Sequence, residues 1–454
     1  MKATFRAMGA AGGVTGSAFV LDLEGHELLV DCGLFQGDAR AARRNRVSPI
    51  AAPAALHTVI LTHGHLDHVG RLPLLIKGGF KGPVLGHPAT LSIAAIVLRD
   101  AAKIGALDGD ALYGAVDVDE TIARFRPVSY ATRHPVAPGV TMTLFDAGHI
   151  LGSASVLLET SGGSILLSGD LGRRGTPILR DPNTVYPPGT RVDHVVIEST
   201  YGDRAHPSGA TLAERLRATL ARALGDGGKV LIPAFSIGRT QELVYHLRTL
   251  YEAGDFAGVP VVVDGPMGLD VTALYERHRD CYDDETRSLA RVSAGPLTFR
   301  DLYSARGRKS SEQVRAIEGP AIIVAGSGMC TGGRIMGYLE DFLPDPRTDV
   351  LLVGYQAAGT LGRRLLEGAA RVRVGLGGKE VSVRARVSGL AGFSAHADRE
   401  ELLAWLSNVP GPPRGAFVCH GEADAAASLA CVAAERFGIA TTVPREGETR
   451  ALWG

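Results

Sequence analysis

The run His63-Gly64-His65-Leu66-Asp67-His68 carries four groups able to bind a divalent cation within six residues. Neutral imidazole nitrogens and a carboxylate suit Zn²⁺, a borderline ion that takes nitrogen and oxygen ligands. Gly64 is expected to relax the backbone, so that His63 and His65 bend toward one ion while Asp67 and His68 face a neighbouring position. That division serves two metals better than one. A solvated loop that happens to be rich in histidine is the alternative. Against it, the block begins where the continuous apolar run Val59-Ile60-Leu61, read as a buried strand, comes to an end.

The elements around this block must bring other groups to it. Residues 2–31 read as two strand-like runs joined by the turn Glu24-Gly25-His26, and Asp31 closes the apolar Leu28-Leu29-Val30. There it either holds a ligand histidine by hydrogen bond or serves as a turn aspartate. Residues 69–76 and 91–106 read as helices, and His57, His87 and His134 as structural or surface histidines. A strand-like run over 140–145 leads to His149. Runs over 156–159 and 165–167 form a hairpin that ends at Asp170, where a carboxylate can bridge two cations about 3.5–4 Å apart. A strand over 192–197 precedes Glu198.

Residues 211–224 are helical in pattern, and strand-like runs then recur at 230–232, 259–263, 321–325 and 350–353 with helices between them. This predicts a second α/β domain built on a mainly parallel sheet. Glycine-rich loops follow three of these strands, at 233–239, 326–334 and 354–360. Such loops can put backbone N–H groups where a phosphate sits, although tight strand-to-helix turns need glycine in any case. None has the Gly-Lys-Ser/Thr of a nucleotide-triphosphate loop. Beside a metal site they suggest a polymer with several phosphates, with Ser327, Gly328, Arg334, Arg239, Gly359 and Arg363 as candidate contacts.

The 454 residues allow two or three domains, and 45% apolar with 21% charged residues is a globular composition. No apolar run reaches the roughly 18 residues of a membrane span, and no signal peptide opens the chain, so a cytoplasmic protein is expected. Five scattered cysteines without a C-x-x-C pair read as buried free thiols. Lys plus Arg equals Asp plus Glu at 48 each, which excludes a global positive field. Residues 285–386 are locally basic, with sixteen Lys and Arg against ten Asp and Glu.

The H-x-H-x-D-H block resembles the signature of the metallo-β-lactamase superfamily. Glu198 after its strand, the run Ser394-Ala395-His396-Ala397-Asp398 and the strand-end His420-Gly421-Glu422 resemble the three added motifs of its β-CASP branch. That branch includes ribonuclease J and the endonuclease of the eukaryotic cleavage and polyadenylation factor. The resemblance spans nearly the whole chain, with the motifs in the family's order. It implies an αββα metallo-β-lactamase sandwich over residues 1–207, an inserted β-CASP domain over 208–386, and the C-terminal part of the sandwich over 387–454.

The same resemblance implies two Zn²⁺ ions, one held by His63, His65 and His149 and the other by Asp67, His68 and His420, with Asp170 bridging and Asp31 orienting a ligand. His396 would be the general acid, with Glu198 bonded to it and Asp67 also at the reaction centre. The expected activity is hydrolysis of phosphodiester bonds in single-stranded RNA, leaving 5′-phosphate and 3′-hydroxyl ends. His420 points to RNA because family members acting on DNA tend to lack that histidine. On the expectation that no RNA-binding module or assembly tail is appended, cutting within the strand is favoured over a 5′-exonuclease, and room is left for a homodimer. A DNA nuclease, a small-molecule metallo-hydrolase and a scaffold that has lost its ligands are the competing readings. Every ligand position of the family pattern is filled here, which counts against the last.

Overall fold

The computed structural model describes residues 3–37, 39–206, 211–354, 356–357, 359–375, 378–390 and 392–453. The chain divides into two compact units, Met1–Ala205 with His396–Gly454, and His206–Ala395. The expected boundary at 207/208 lies outside the described residues. The expected boundary at 386/387 cuts strand Arg386–Gly389, which belongs to the sheet of the second unit.

In the first unit two seven-stranded sheets face each other. Phe5, Leu21, Leu28 and Ile60 of one sheet and Met142, Leu158, Leu167 and Phe417 of the other share a single buried cluster. A second cluster packs the far side of the second sheet against helices Arg399–Ser407 and Ala423–Phe437, through Leu402, Trp405, Leu406 and Leu429. Strands His26–Val30 and Thr58–Ile60 run parallel, with Val30 opposite Ile60, so Asp31 and the histidine block leave the first sheet at the same end. In the second sheet, strands Ser164–Leu167, His194–Glu198 and Gly415–Cys419 are parallel neighbours. Asp170, Glu198 and His420 therefore share one edge.

Sequence patterning and structure part company in several places. Three strands, not two, precede Asp31, because Ala3–Ala7 pairs between Phe19–Leu23 and the C-terminal strand Thr449–Trp453. The helix expected over 69–76 is two short helices, Leu66–Val69 and Leu72–Lys77. The break comes at Gly70-Arg71, just before Pro73, whose ring disfavours helix in the residues ahead of it. Of the five cysteines, Cys431 is exposed and four are buried.

The second unit is a six-stranded, all-parallel sheet in the order Leu302–Ala305, Val261–Asp264, Ala321–Ala325, Lys229–Pro233, Asp349–Leu352, Arg386–Gly389. Both edge strands escape the sequence pattern because they are short and half-exposed, which removes the continuous apolar run that marks the central ones. An antiparallel hairpin, Arg371–Val374 with Lys379–Ser382, packs Val372, Val374 and Val381 against the same core. Among the described residues no helix is long and apolar enough to cross a membrane.

Candidate metal centre

Asp170 is the hub of the site. It is buried, and its Oδ2 lies 3.6 Å from His63 Nε2, 3.4 Å from His68 Nε2, 3.8 Å from His149 Nε2 and 3.9 Å from His396 Nδ1. Its Oδ1 is 3.5 Å from His420 Nδ1, yet has no hydrogen-bond partner. His63, His65, His149 and Asp170 offer ligand atoms all within 4.8 Å of one another, and so do Asp67, His68 and His420. Within the first group His65 Nδ1 is 3.1 Å from His63 Nε2 and 3.3 Å from His149 Nε2; within the second, the Nε2 atoms of His68 and His420 are 3.1 Å apart. Ring nitrogens that converge in this way, around a carboxylate oxygen left without a donor, are a donor set for cations. The residues present fit a pair of divalent ions.

Backbone geometry delivers these groups. Gly64 does not serve through conformational freedom, as expected from the sequence, since its φ is not among the positive ones. A Cβ there would lie 2.6 Å from Ile93 Cγ2, so glycine is needed to let the loop lie against helix Pro88–Asp108. Asp31 and His420 both hold positive φ, 62° and 50°, a strained conformation that persists where surrounding bonds fix it. At Asp31 those bonds are the amide and hydroxyl of Thr62, which donate to Oδ1 and Oδ2 at 2.8 and 2.7 Å. Asp31 Oδ2 in turn accepts from His68 Nδ1 at 2.7 Å, which turns His68 Nε2 toward Asp170. Thr200 Oγ1 lies 3.2 Å from His420 Nδ1. Neither threonine is marked by the spacing of the motifs, although Thr62 directly precedes the histidine block.

His396 sits beside this group. Its Nδ1 is 3.1 Å from Glu198 Oε1, and the buried Glu198 also accepts from the amides of Leu171 and Thr200 at 2.8 and 3.1 Å. The Ala397 amide donates to Leu171 O at 2.8 Å, which ties the His396 segment to the turn after Asp170. Two residues on, Asp398 and Glu401 exchange side-chain and backbone bonds that start the following helix.

The charges are set by burial and by one another. Burial lowers His63 well below the usual imidazole value, helped by the neighbouring His68, and takes His65 down to about 4 against the pull of Asp67 and Asp170. At His68 burial is outweighed by Asp170 and Asp31, which raise it well above that value. Burial would raise Asp170, but His420, His68 and His63 hold it well below the carboxylate range. Asp67, also raised by burial, is brought down to about 2 by His420, whose Nε2 is 3.8 Å from its Oδ2, and by the other imidazoles around it. His63 and His65 are thus neutral and both carboxylates ionised at pH 7, the protonation states in which these groups bind metal. His396 is pushed up to about 9, because Glu198, Asp170 and Asp67 outweigh burial.

The candidate phosphate contacts lie in the second unit and are largely engaged within it. Arg239 is mostly buried, paired with Glu242 at 2.8 Å and set over the Phe393 ring. Arg334 donates to Ser311 Oγ and Arg306 O and lies 4.0 Å from Asp264; Arg363 pairs with Glu367 at 2.6 Å. The Ser327 amide donates to Gly332 O, and its hydroxyl accepts from the Thr331 amide. The Gly328 carbonyl accepts from Gln356, and Gly359 holds a φ of +84°. In the 354–360 loop, Tyr355 and Ala358 lie outside the described residues.

Residues 11–234 match the metallo-beta-lactamase superfamily profile, residues 240–365 the Beta-Casp domain, and residues 380–444 the Zn-dependent metallo-hydrolase RNA specificity domain. Ribonuclease TTHA0252 of Thermus thermophilus is 39% identical over 441 residues, spanning 97% of this chain and 98% of that one. The chain belongs to the β-CASP family of metallo-β-lactamase-fold ribonucleases. Transcription termination factor FttA of Methanosarcina mazei is 30% identical over 98% of this chain and 70% of its own length. FttA of Pyrococcus abyssi is 33% identical over 87% of this chain, which spans only 62% of that factor. A solved protein of unknown function from Enterococcus faecalis superposes with a TM-score of 0.60 at 13% identity, over 99% of this chain and 100% of that one, and shows the fold alone. As a β-CASP member the chain is a metal-dependent hydrolase of the ribonuclease class.

Proposed function

We propose that this β-CASP chain is a two-zinc ribonuclease that cuts single-stranded RNA internally and leaves 5′-phosphate and 3′-hydroxyl ends. The observation that carries the proposal is the buried Asp170 carboxylate between two groups of converging nitrogens, with Oδ1 lacking a hydrogen bond. His63, His65 and His149 would hold one ion and Asp67, His68 and His420 the other, with Asp170 shared. Bound there, the ions supply Lewis acidity toward phosphoryl oxygens and lower the pKa of water toward about 7. Asp31 keeps His68 Nε2 aimed at the pair. His396, with its Nδ1 engaged by Glu198, would give a proton to the departing 3′-oxygen, and its raised pKa keeps the ring protonated at neutral pH.

RNA is the substrate in this reading because the match to an RNA specificity domain and the ribonuclease relative both favour it. The test uses RNA labelled separately at each end, beside a circular RNA of the same sequence. Linearised circles and products with 5′-phosphate ends are expected. A circle that survives while the linear strand is degraded would replace the internal cut with a 5′-exonuclease.

A further inference from the structure

Strands Ala321–Ala325 and Lys229–Pro233 lie side by side at the centre of the second unit's sheet. From Lys229–Pro233 the chain passes to Val261–Asp264 on one side, and from Ala321–Ala325 to Asp349–Leu352 on the other. These adjacent strands send their connections in opposite directions, each across the other strand; where that happens in a parallel sheet the carboxyl ends leave a crevice, and open α/β folds bind ligands there. Three loops meet at this edge, after Pro233, Ala325 and Leu352.

Phe235 belongs to the first of these loops and is 41% exposed. Its backbone is fixed: Ala234 N donates to Ala325 O at 3.1 Å, and the amide and hydroxyl of Thr240 both donate to Phe235 O, at 3.1 and 2.7 Å. The ring is seated on glycine. A Cβ added at Gly328 would lie 2.8, 2.9 and 3.1 Å from three consecutive ring carbons. Distances that similar put the point over the ring face, since a point beyond the rim would be much farther from the second and third carbons than from the first. At Gly354 the corresponding Cβ would be 3.6 Å from the same edge. Gln356 Nε2 donates to both Gly328 O and Gly354 O at 3.0 Å, which braces the two loops together. Among the described residues no other aromatic ring or cation is stacked on Phe235; Arg239, four residues on, is set over Phe393 instead.

An apolar side chain exposed singly is ordinary. A rigidly held ring with one face on backbone and substantial exposed area, at the ligand-binding edge of a parallel sheet, is a platform. The geometry points to Phe235 as a stacking site for one nucleobase of single-stranded RNA, an assignment that rests on the ribonuclease reading above. Stacking suits an enzyme that handles varied strands, because every base offers a π face, and a pre-ordered ring gives up little entropy on binding.

The test measures binding of a short oligoadenylate to the metal-stripped full chain, where no cutting competes. Phe235→Ala and Phe235→Leu are expected to weaken binding by about 5- to 150-fold, the range found for base–aromatic contacts, while Phe235→Trp retains it. An abasic spacer moved along the oligomer should cost the wild type a similar factor at one position and cost Phe235→Ala nothing more there. Wild-type affinity in Phe235→Ala, full rescue by Leu, or spacer losses that add to the mutation at every position would overturn the assignment. A wild type that binds RNA when stripped and cuts it once Zn²⁺ is restored, beside a Phe235→Ala that binds equally well, defeats the stacking site alone. A wild type that neither binds nor cuts RNA defeats the ribonuclease reading and the stacking site with it.

Discussion

Each unit has parallel strands whose carboxyl ends open into loops, and the two edges use that space in opposite ways. In the first unit the strand ends carry Asp31, Asp170, Glu198 and His420, all buried and in contact with one another or with the histidine block. In the second unit the arginines near the strand ends turn back to Glu242, Asp264 and Glu367, many loop positions are glycine, and the Phe235 ring is exposed. The fold supplies a place for a ligand in both. Side-chain type then decides whether that place does chemistry or offers shape.

If that contrast is right, changes at the first edge should alter metal content and rate, and changes at the second should alter RNA affinity. The largest effect is expected for Asp170→Asn, which keeps the volume but removes the charge shared by both groups. Cleavage should fall by at least about 10³-fold with loss of bound metal. Normal metal content with normal rates would remove Asp170 from the centre. Next comes His396→Ala, for which a loss of about 10²–10⁴-fold in rate is expected with metal content retained. Since Asp170, Glu198 and His396 also offer clustered ligand atoms, loss of metal in this variant would make His396 a ligand and not an acid. Asp31→Ala should leave the ligands in place but free the His68 ring, lowering metal affinity by about 10–100-fold; isothermal titration with Zn²⁺ reads that value directly.

The smallest effect concerns stability in acid, and it sharpens the contrast by addressing the second unit alone. Burial lowers the pKa of His246, partly offset by Glu242, and its Nε2 has no hydrogen-bond partner. The unfolded chain takes up this proton near pH 6.5 while the folded chain does not. Stability therefore rises with pH through that window and is lost as pH falls below about 6.5. His246→Gln should make the acid limb of a melting-temperature profile shallower than in the wild type. An unchanged limb would show that His246 titrates alike in both states.

The proximity of the residues at the first edge was legible in the sequence because each one follows a short apolar run, and parallel strands deliver their ends together. Their role as ligands is a proposal that the metal measurements decide. Thr62 and Thr200 were not legible, since a hydroxyl that props a histidine leaves no trace in spacing. A basic cluster in sequence carries no sign of its partners: Arg386, one of the local positive charges, is held by Asp349 and Asp226. Phe235 carried no signal at all, because an aromatic in a turn becomes informative only once one face is seen to rest on glycine. The helix over 69–76 failed at Gly70-Arg71, where apolar periodicity continued but the backbone did not.

The central claim, two ions on one RNA-cutting centre, is tested most directly by adding Zn²⁺ back to the chelator-stripped full chain while bound metal and RNA cleavage are followed together. Cleavage is expected to appear only as the second equivalent binds. Full activity with one equivalent, or with none, would contradict the account.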